Sequence, residues 1–81
     1  MRDKVLGTFA GVMGLASDGL TGQETPDDIP VWDSFKHMNL VLALEEDFGI
    51  MLDDDDIVDM VRLDEIVRIV AHKVADTGEA A

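Results

Sequence analysis

Ser34 is the residue whose type and position could carry chemistry, because Asp33 precedes it and His37 follows at i+3. Serine, histidine and aspartate are the nucleophile, base and orienting acid of serine hydrolases. Here Ser34 and His37 would project side by side from one helical turn, and no oxyanion hole is evident. We therefore predict that the chain is not an enzyme and that His37 is a solvated first-turn residue. Serine and aspartate are also preferred helix caps, so capping is the plain interpretation of Ser34.

The four consecutive carboxylates from Asp53 to Asp56 raise the question of calcium binding. An EF-hand loop needs glycine at its sixth position and glutamate at its twelfth. Counting from Asp53, those positions hold Val58 and Asp64. We predict no metal site and interpret the run as a solvated helix start whose acids match the helix dipole, although an incidental cation stays open as an alternative.

Composition restricts the partners. The chain has 81 residues, with 18 acidic against 6 basic residues and a net charge of −12. Such a charge repels nucleic acid and anionic lipid and attracts proteins with basic patches. The absence of cysteine excludes disulfides and thiolate chemistry of the chain's own and suits a reducing cytoplasm. We expect a cytoplasmic, monomeric protein with protein partners, no nucleic acid and no membrane span.

The N-terminal region superficially resembles a signal peptide with a small-x-small site at Gly14-Leu15-Ala16. Asp3 among the basic residues argues against that interpretation, and the apolar run is broken by glycines. The helical spacing of its apolar residues instead predicts one buried face of a first helix. That face comprises Val5, Leu6, Phe9, Val12, Met13 and Ala16.

The remaining chain predicts an all-helical fold with one long connection. Glycines and both prolines make residues 17 to 33 a loop, and a second helix runs from about Asp33 to Phe48 and ends at Gly49. A short third helix follows Asp53 to Asp56, and Asp64 opens a fourth. We predict one domain spanning 1–81, a four-helix bundle whose core covers about 5–74, with 75–81 as a frayed tail.

The second helix carries two apolar stripes. Leu40, Leu44 and Phe48, with Val41 beside them, form the core face. The second stripe, defined as Phe35, Met38 and Leu42, lies on nearly the opposite side. The loop or the third helix could cover this second stripe, or it could be a docking surface bordered by Glu45 and Glu46 for a basic, partly apolar partner.

Two residues at the start of this helix have further interpretations. The unpaired N–H groups and the positive dipole end beside Ser34 can accommodate an attached phosphate. Trp32 could anchor a partner, but beside a proline-containing loop we expect it to pack inward and pin that loop.

These residues together resemble the acyl carrier proteins. "DSF", followed by "LVLALEEDFGI" and by an acidic run before a short helix, looks like the family pattern of Asp-Ser-Leu opening the second of four helices. The resemblance implies that Ser34 carries 4′-phosphopantetheine, transferred from coenzyme A by a Mg²⁺-dependent phosphopantetheinyl transferase. It would also explain the missing cysteine, because the working thiol would end the prosthetic arm.

The chain departs from the family pattern at several positions. Phe35 replaces the usual leucine, Lys36 and His37 add positive or titratable character, and Asn39 stands where an acid is common. These departures look more like carriers of polyketide, nonribosomal peptide or cell-surface polymer pathways than like the housekeeping fatty-acid carrier. Arg62 and Leu63 stand where many members have a serine or threonine cap, so we expect Asp64 to cap the fourth helix.

Two functions from different classes follow. The first is a carrier that holds acyl or aminoacyl groups as thioesters on the arm of Ser34. Its loading and transferring enzymes would dock on Asp33, Phe35, Met38, Leu42, Glu45 and Glu46. The second is an unmodified acidic adaptor that uses the same surface for a basic protein partner. The sequence does not identify the cargo, the pathway or the loading enzyme.

Overall fold

A computed structural model describes residues 1–78 of the chain. Four α-helices follow one another: α1 (Arg2–Met13), α2 (Ser34–Phe48), α3 (Asp54–Asp59) and α4 (Leu63–Gly78). One turn of 3₁₀ helix, Ser17–Gly19, interrupts the long connection between α1 and α2. The predicted all-helical fold, with its short third helix and long first loop, is confirmed.

Helix α1 ends earlier than its apolar pattern predicts. Gly14 adopts φ 74°, and its N–H donates to the carbonyl of Ala10, which closes the helix after Met13. Ala16 therefore lies beyond the helix and is exposed, so its predicted place on the buried face is wrong. The buried face consists of Val5, Leu6, Phe9, Ala10 and Met13.

One hydrophobic core joins the helices. Leu40, Val41 and Leu44 supply the predicted core face of α2, and Phe48 packs against them while partly exposed. Ile66, Ile69 and Val70 contribute the buried face of α4. The loops add Ile29, Trp32, Ile50, Leu52 and Met60, which are all buried. The core therefore depends on the connections as well as on the helices.

Helix α3 has no fully buried residue of its own. Ile57 packs against the core while partly exposed, and polar contacts organise the start of the helix. Asp53 and Asp56 form a reciprocal capping box, in which each side chain accepts from the other's backbone N–H at 3.1 Å. The ammonium of Lys73, on α4, lies 2.9 Å from the carboxylate of Asp56 and 3.5 Å from that of Asp53. These contacts hold α3 against α4.

The Asp56–Lys73 pair makes this contact sensitive to pH. Partial burial tends to raise the pKa of Asp56, but hydrogen bonds from Lys73 and from Asp53 outweigh it, so this pKa lies below its ordinary value. The hydrogen bond to Asp56 raises the pKa of Lys73. The contribution of Asp56 to stability is therefore present at neutral pH and lost in acid, and that of Lys73 is lost in strong alkali.

The start of α4 is capped by the long loop and not by Asp64. The N–H of Leu63 donates to the carbonyl of Glu24 at 3.0 Å, and the N–H of Asp64 donates to the carbonyl of Gly22 at 2.8 Å. The side chain of Asp64 instead binds Arg2 at 2.6 Å and Gln23 at 3.1 Å. The prediction that Asp64 caps α4 is wrong, because loop carbonyls accept from the helix and its carboxylate binds cationic and amide donors.

Glu24 gives this part of the loop its shape. Its carboxylate accepts from the backbone N–H groups of Thr21 at 2.9 Å and Gly22 at 2.8 Å. Burial tends to raise the pKa of Glu24, but these backbone hydrogen bonds outweigh it, so the pKa is lowered. The ionised carboxylate thus folds the loop so that its carbonyls face α4.

The sequence predicts that the core ends at about Val74. Helix α4 continues past that residue to Gly78. Residues 79–81 of the tail prediction lie outside the described residues. Within the described part of the chain, no helix is long and apolar enough to cross a membrane.

Gly22 provides a test of the loop contact with α4. It adopts φ 101°, and an added Cβ would overlap the Asp64 carboxylate and crowd Arg2. We expect Gly22→Ala to lower the free energy of unfolding by about 1–3 kcal/mol. Gly7 lies inside α1 with open space around it, so Gly7→Ala should raise stability by about 0.5–1 kcal/mol. Urea unfolding measures both changes, and equal effects would contradict this role of Gly22.

Candidate functional site

Ser34 is the first residue of α2, and its side chain does not cap the helix. Asp33 occupies the cap position with extended backbone, and its Oδ1 accepts from the N–H of Lys36 at 2.9 Å. Ser34 is exposed, and among the described residues no hydrogen bond involves its hydroxyl. Asp33 therefore caps α2, and the Ser34 hydroxyl takes no part in the cap.

Trp32 packs inward, as the sequence predicts. Its side chain is buried, and its ring meets that of Phe9 edge to face with centroids 5.0 Å apart. The indole Nε1 donates to Nδ1 of His37 at 2.9 Å. Trp32 thereby fixes the end of the long loop against α1 and against the first turn of α2.

His37 is not the solvated residue that its place in the first turn predicts. Its ring is partly buried and lies nearly parallel to the indole of Trp32, edge to edge with it, and its Nε2 lies 3.0 Å from the carbonyl oxygen of Ile57 in α3. The tautomer with hydrogen on Nε2 satisfies both bonds, since Nδ1 accepts from Trp32 while Nε2 donates to Ile57. His37 therefore connects the loop, α2 and α3.

This arrangement does not make a hydrolytic pair. Both ring nitrogens of His37 are engaged by Trp32 and Ile57, and no hydrogen bond joins His37 to Ser34. A general base must lie within hydrogen-bond reach of its nucleophile. The sequence missed the connecting role of His37 because Ile57 lies 20 residues away, and the only local signal was an aromatic donor five residues before the histidine.

The second stripe is open on the surface. Phe35 is 72% exposed, Leu42 61% and Met38 48%, so neither the long loop nor α3 covers these side chains. Large apolar side chains exposed together are a common feature of interaction sites. Of the two alternatives that the sequence left open, the structure selects the uncovered stripe.

The two glutamates beside the second stripe have different surroundings. Glu46 is exposed. Glu45 is partly buried, and its Oε2 accepts from the N–H of Leu52 at 2.9 Å. The carboxylate of Glu45 therefore stabilises the loop between α2 and α3, whereas the carboxylate of Glu46 is exposed to solvent.

Lys36 also differs from its sequence interpretation. Its ammonium donates to the carbonyl of Val12 at 3.2 Å, in the last turn of α1. A cation at a helix C-terminus is stabilised by the helix dipole and by the unpaired carbonyls. Much of the positive character that Lys36 adds beside Ser34 is therefore directed at α1.

A surface groove opens beside Ser34. Its volume is about 440 Å³, within the range of small-molecule sites. The lining residues are Pro26, Trp32, Asp33, Ser34, His37 and Met38. Among the described residues, no three histidine, aspartate or glutamate side chains converge as a metal site would require.

Comparison with known proteins bears on the fold of the chain. No family model matches the sequence, and no curated protein matches it significantly. The structure is similar to the solution NMR structure of a holo acyl carrier protein from Geobacter metallireducens, with a TM-score of 0.87 and 28% identity, covering 99% of this chain and 92% of that one. The fold is thus that of a small carrier-type helical protein. The resemblance to acyl carrier proteins is confirmed, and the fold is that of a non-catalytic carrier.

Two phenylalanines test the assignment of surface and core. Because Phe35 is largely exposed, Phe35→Ala should cost less than about 1.5 kcal/mol of folding stability. Phe9 is fully buried, and Phe9→Ala should cost about 3–5 kcal/mol. Denaturant unfolding compares the variants, and a large loss for Phe35→Ala would show that the second stripe is part of the core.

Proposed function

We propose that this protein carries acyl or aminoacyl groups as thioesters on a 4′-phosphopantetheine arm attached to Ser34. The observation that carries the proposal is the exposed Ser34 hydroxyl at the start of α2. Asp33 caps the helix, so this hydroxyl is not needed as a cap. The similar solved structure, described as a holo acyl carrier protein, supports the same conclusion.

Attachment requires a separate phosphopantetheinyl transferase with coenzyme A and Mg²⁺. The Ser34 oxygen attacks the β-phosphorus of coenzyme A and loses its proton, and the pyrophosphate bond breaks. A phosphodiester to Ser34 forms, and adenosine 3′,5′-bisphosphate leaves. The arm supplies the thiol that forms the thioester, a group that the cysteine-free chain lacks.

The residues around Ser34 fit this modification. The hydroxyl is reachable from solvent, and no described partner would have to be displaced when its oxygen is esterified. Asp33 keeps the helix start ordered independently of Ser34 through its bond to the Lys36 N–H. Esterification at Ser34 would therefore leave the fold of α2 unchanged.

We further propose that partner enzymes dock on the second stripe. Its exposed apolar side chains lie beside the charge of Glu46, and the chain as a whole carries −12, so a basic surface with an apolar centre is complementary. Asp33 and Glu45 border the same surface, although each also accepts a backbone hydrogen bond. A monomeric, cytoplasmic carrier of a specialised pathway suits these features and the departures at Phe35 and Asn39.

Two serines make the attachment site directly testable. The sequence holds only Ser17 and Ser34. After incubation with coenzyme A, Mg²⁺ and a broad-specificity transferase, intact-protein mass should show one phosphopantetheine on the wild type and on Ser17→Ala. Ser34→Ala should show none, because the accepting oxygen is absent.

A wild-type chain that stays unmodified while a control carrier is loaded would contradict the carrier function. It would favour the alternative, an acidic adaptor that uses the second stripe without covalent chemistry. Modification of Ser34→Ala would place the arm on another residue.

Glu46 tests the charge contribution to docking. Glu46→Lys should slow association with the transferase, mainly through the on-rate, and raising the salt concentration should reduce the difference from wild type. Asp18→Lys changes the net charge equally at an exposed position outside the second stripe and should have a smaller effect. Stopped-flow association rates give the comparison, and equal effects of the two reversals would assign steering to net charge alone.

A further inference from the structure

Four of the five methionines form two pairs that differ in exposure. Met38 is 48% exposed and Met51 77%, whereas Met13 is 4% exposed and Met60 1%. The fifth, Met1, is also exposed, but it lies at the start of α1 and outside the second stripe. Small solutes therefore reach Met38 and Met51 in the folded protein, whereas they reach the buried pair only when the protein opens.

Leu42 connects the two exposed methionines of this surface. Met38 precedes Leu42 by about one helical turn within the second stripe. On its other side, Leu42 lines a second groove with Met51, at the C-terminal end of α2. The other lining residues of this groove are Glu45, Glu46, Gly49 and Ile50. A partner that covers Leu42 would therefore contact Met38 in one direction and Met51 in the other.

The methionine thioethers are the readily oxidised groups of this surface. When a hydroperoxide reacts with methionine, the sulfur lone pair attacks a peroxide oxygen, an S–O bond forms and the O–O bond breaks. Sulfur loses two electrons, and the peroxide gains them. The proton on the transferred oxygen passes to the departing oxygen, which leaves as water or an alcohol. The product is a sulfoxide, which places a polar acceptor where an apolar group stood.

The loaded form of the carrier depends on these sulfurs more than the free form does. The chain has no cysteine, so its only thiol would be the one at the end of the proposed arm. Once that thiol is acylated, it no longer forms the thiolate that reacts with peroxide. Met38 and Met51 then remain as exposed, oxidisable sulfurs on the partner-facing surface.

We propose that Met38 and Met51 are oxidation sites, at which conversion to the sulfoxide switches partner docking off and methionine sulfoxide reductases switch it on again. This inference rests on the proposed docking of partner enzymes on the second stripe. A sulfoxide oxygen must lose its water when an apolar partner surface covers it, and that surface offers no donor in return. Neither side chain belongs to the core, so oxidation weakens docking while the helices stay folded.

The carrier's own side chains do not supply the missing donor near Met51. Its neighbours in the second groove include Glu45 and Glu46, whose ionised carboxylates accept hydrogen bonds and donate none. One oxygen of Glu45 already accepts from the N–H of Leu52. The oxygen added to Met51 therefore depends on solvent water, which docking would remove.

The first part of the experiment measures which methionines are oxidised. The full chain is treated with graded amounts of hydrogen peroxide, and peptide mass mapping locates each added oxygen. We expect Met38 and Met51 to be oxidised well before Met13 and Met60, with the helical circular dichroism unchanged. Oxidation of the buried pair at the same rate as the exposed pair would overturn the proposal, because the docking surface would not be selectively modified.

The second part measures binding to the phosphopantetheinyl transferase by stopped flow, after catalase has removed the peroxide. Oxidation of Met38 and Met51 should weaken the affinity at least about fivefold, because acceptors are buried without donors. The loss should appear mainly as faster dissociation, in contrast to the effect of Glu46→Lys on the on-rate. Reductases for both sulfoxide epimers, with a thiol reductant, should restore the affinity.

The double variant Met38→Leu with Met51→Leu is the matched control. It keeps Met1, Met13 and Met60, so any effect of oxidation at those residues is retained. Each chain is compared with its own untreated form, and a change in basal affinity therefore does not enter the comparison. We expect peroxide to leave the affinity of the double variant unchanged.

The outcomes separate this inference from the carrier function. An untreated chain that accepts no arm overturns the carrier function, and this inference with it. A chain that is loaded normally, but whose affinity is unchanged or increased after Met38 and Met51 are oxidised, overturns the switch and leaves the carrier function standing. An equal loss of affinity in the double variant also overturns the switch, because it assigns the effect to another residue.

Discussion

The hydrogen-bonded chain from Trp32 through His37 to the carbonyl of Ile57 is the interaction on which the surroundings of Ser34 depend. It joins the end of the long loop and the first turn of α2 to the short helix α3, which lies 20 residues further along the chain. The loop end and α2 also contribute buried residues to the core, whereas α3 has no fully buried residue. The imidazole of His37, in this tautomer, therefore links the Trp32 ring to α3, in addition to the Lys73 contacts that hold α3 against α4.

Local signals made α2 predictable from the sequence. Asp33 caps it and Gly49 ends it in the left-handed conformation with φ 65°, as the residue types indicate. The end of α1 was harder, because a helix could end at Gly7, Gly11 or Gly14, and of these Gly14 adopts the left-handed conformation that closes it. Apolar residues recur at helical spacing as far as Ala16, but the helix ends at Met13.

The site was predictable to the extent that its chemistry is local. Residue type and helical spacing predict Ser34 at the start of α2 and the second stripe itself, whereas only the structure shows that the stripe is uncovered. The roles of His37 and Asp64 could not be predicted in this way, because their partners Ile57 and Arg2 lie 20 and 62 residues away. Charged and polar side chains select partners through space, so a pattern of neighbours in sequence leaves their choice undetermined.

The acidic residues also differ from one another in whether their carboxylates are hydrogen-bonded within the fold or exposed to solvent. Glu24, Asp33, Glu45 and Asp53 accept from backbone N–H groups and serve as structural acceptors. Their negative charge is partly compensated by the dipoles that they bind. The carboxylates that present their charge only to solvent are therefore fewer than a count of acids implies, and the exposed Glu46 is one of them.

The direction of the Lys36 side chain has a consequence for any phosphate placed on Ser34. The ammonium nearest in sequence to that serine points to the carbonyl of Val12 and serves the end of another helix. A phosphodiester at this position would thus gain little neutralisation from Lys36. If Ser34 carries the proposed arm, its phosphodiester would therefore be open to pairing with an arginine or lysine of a partner enzyme.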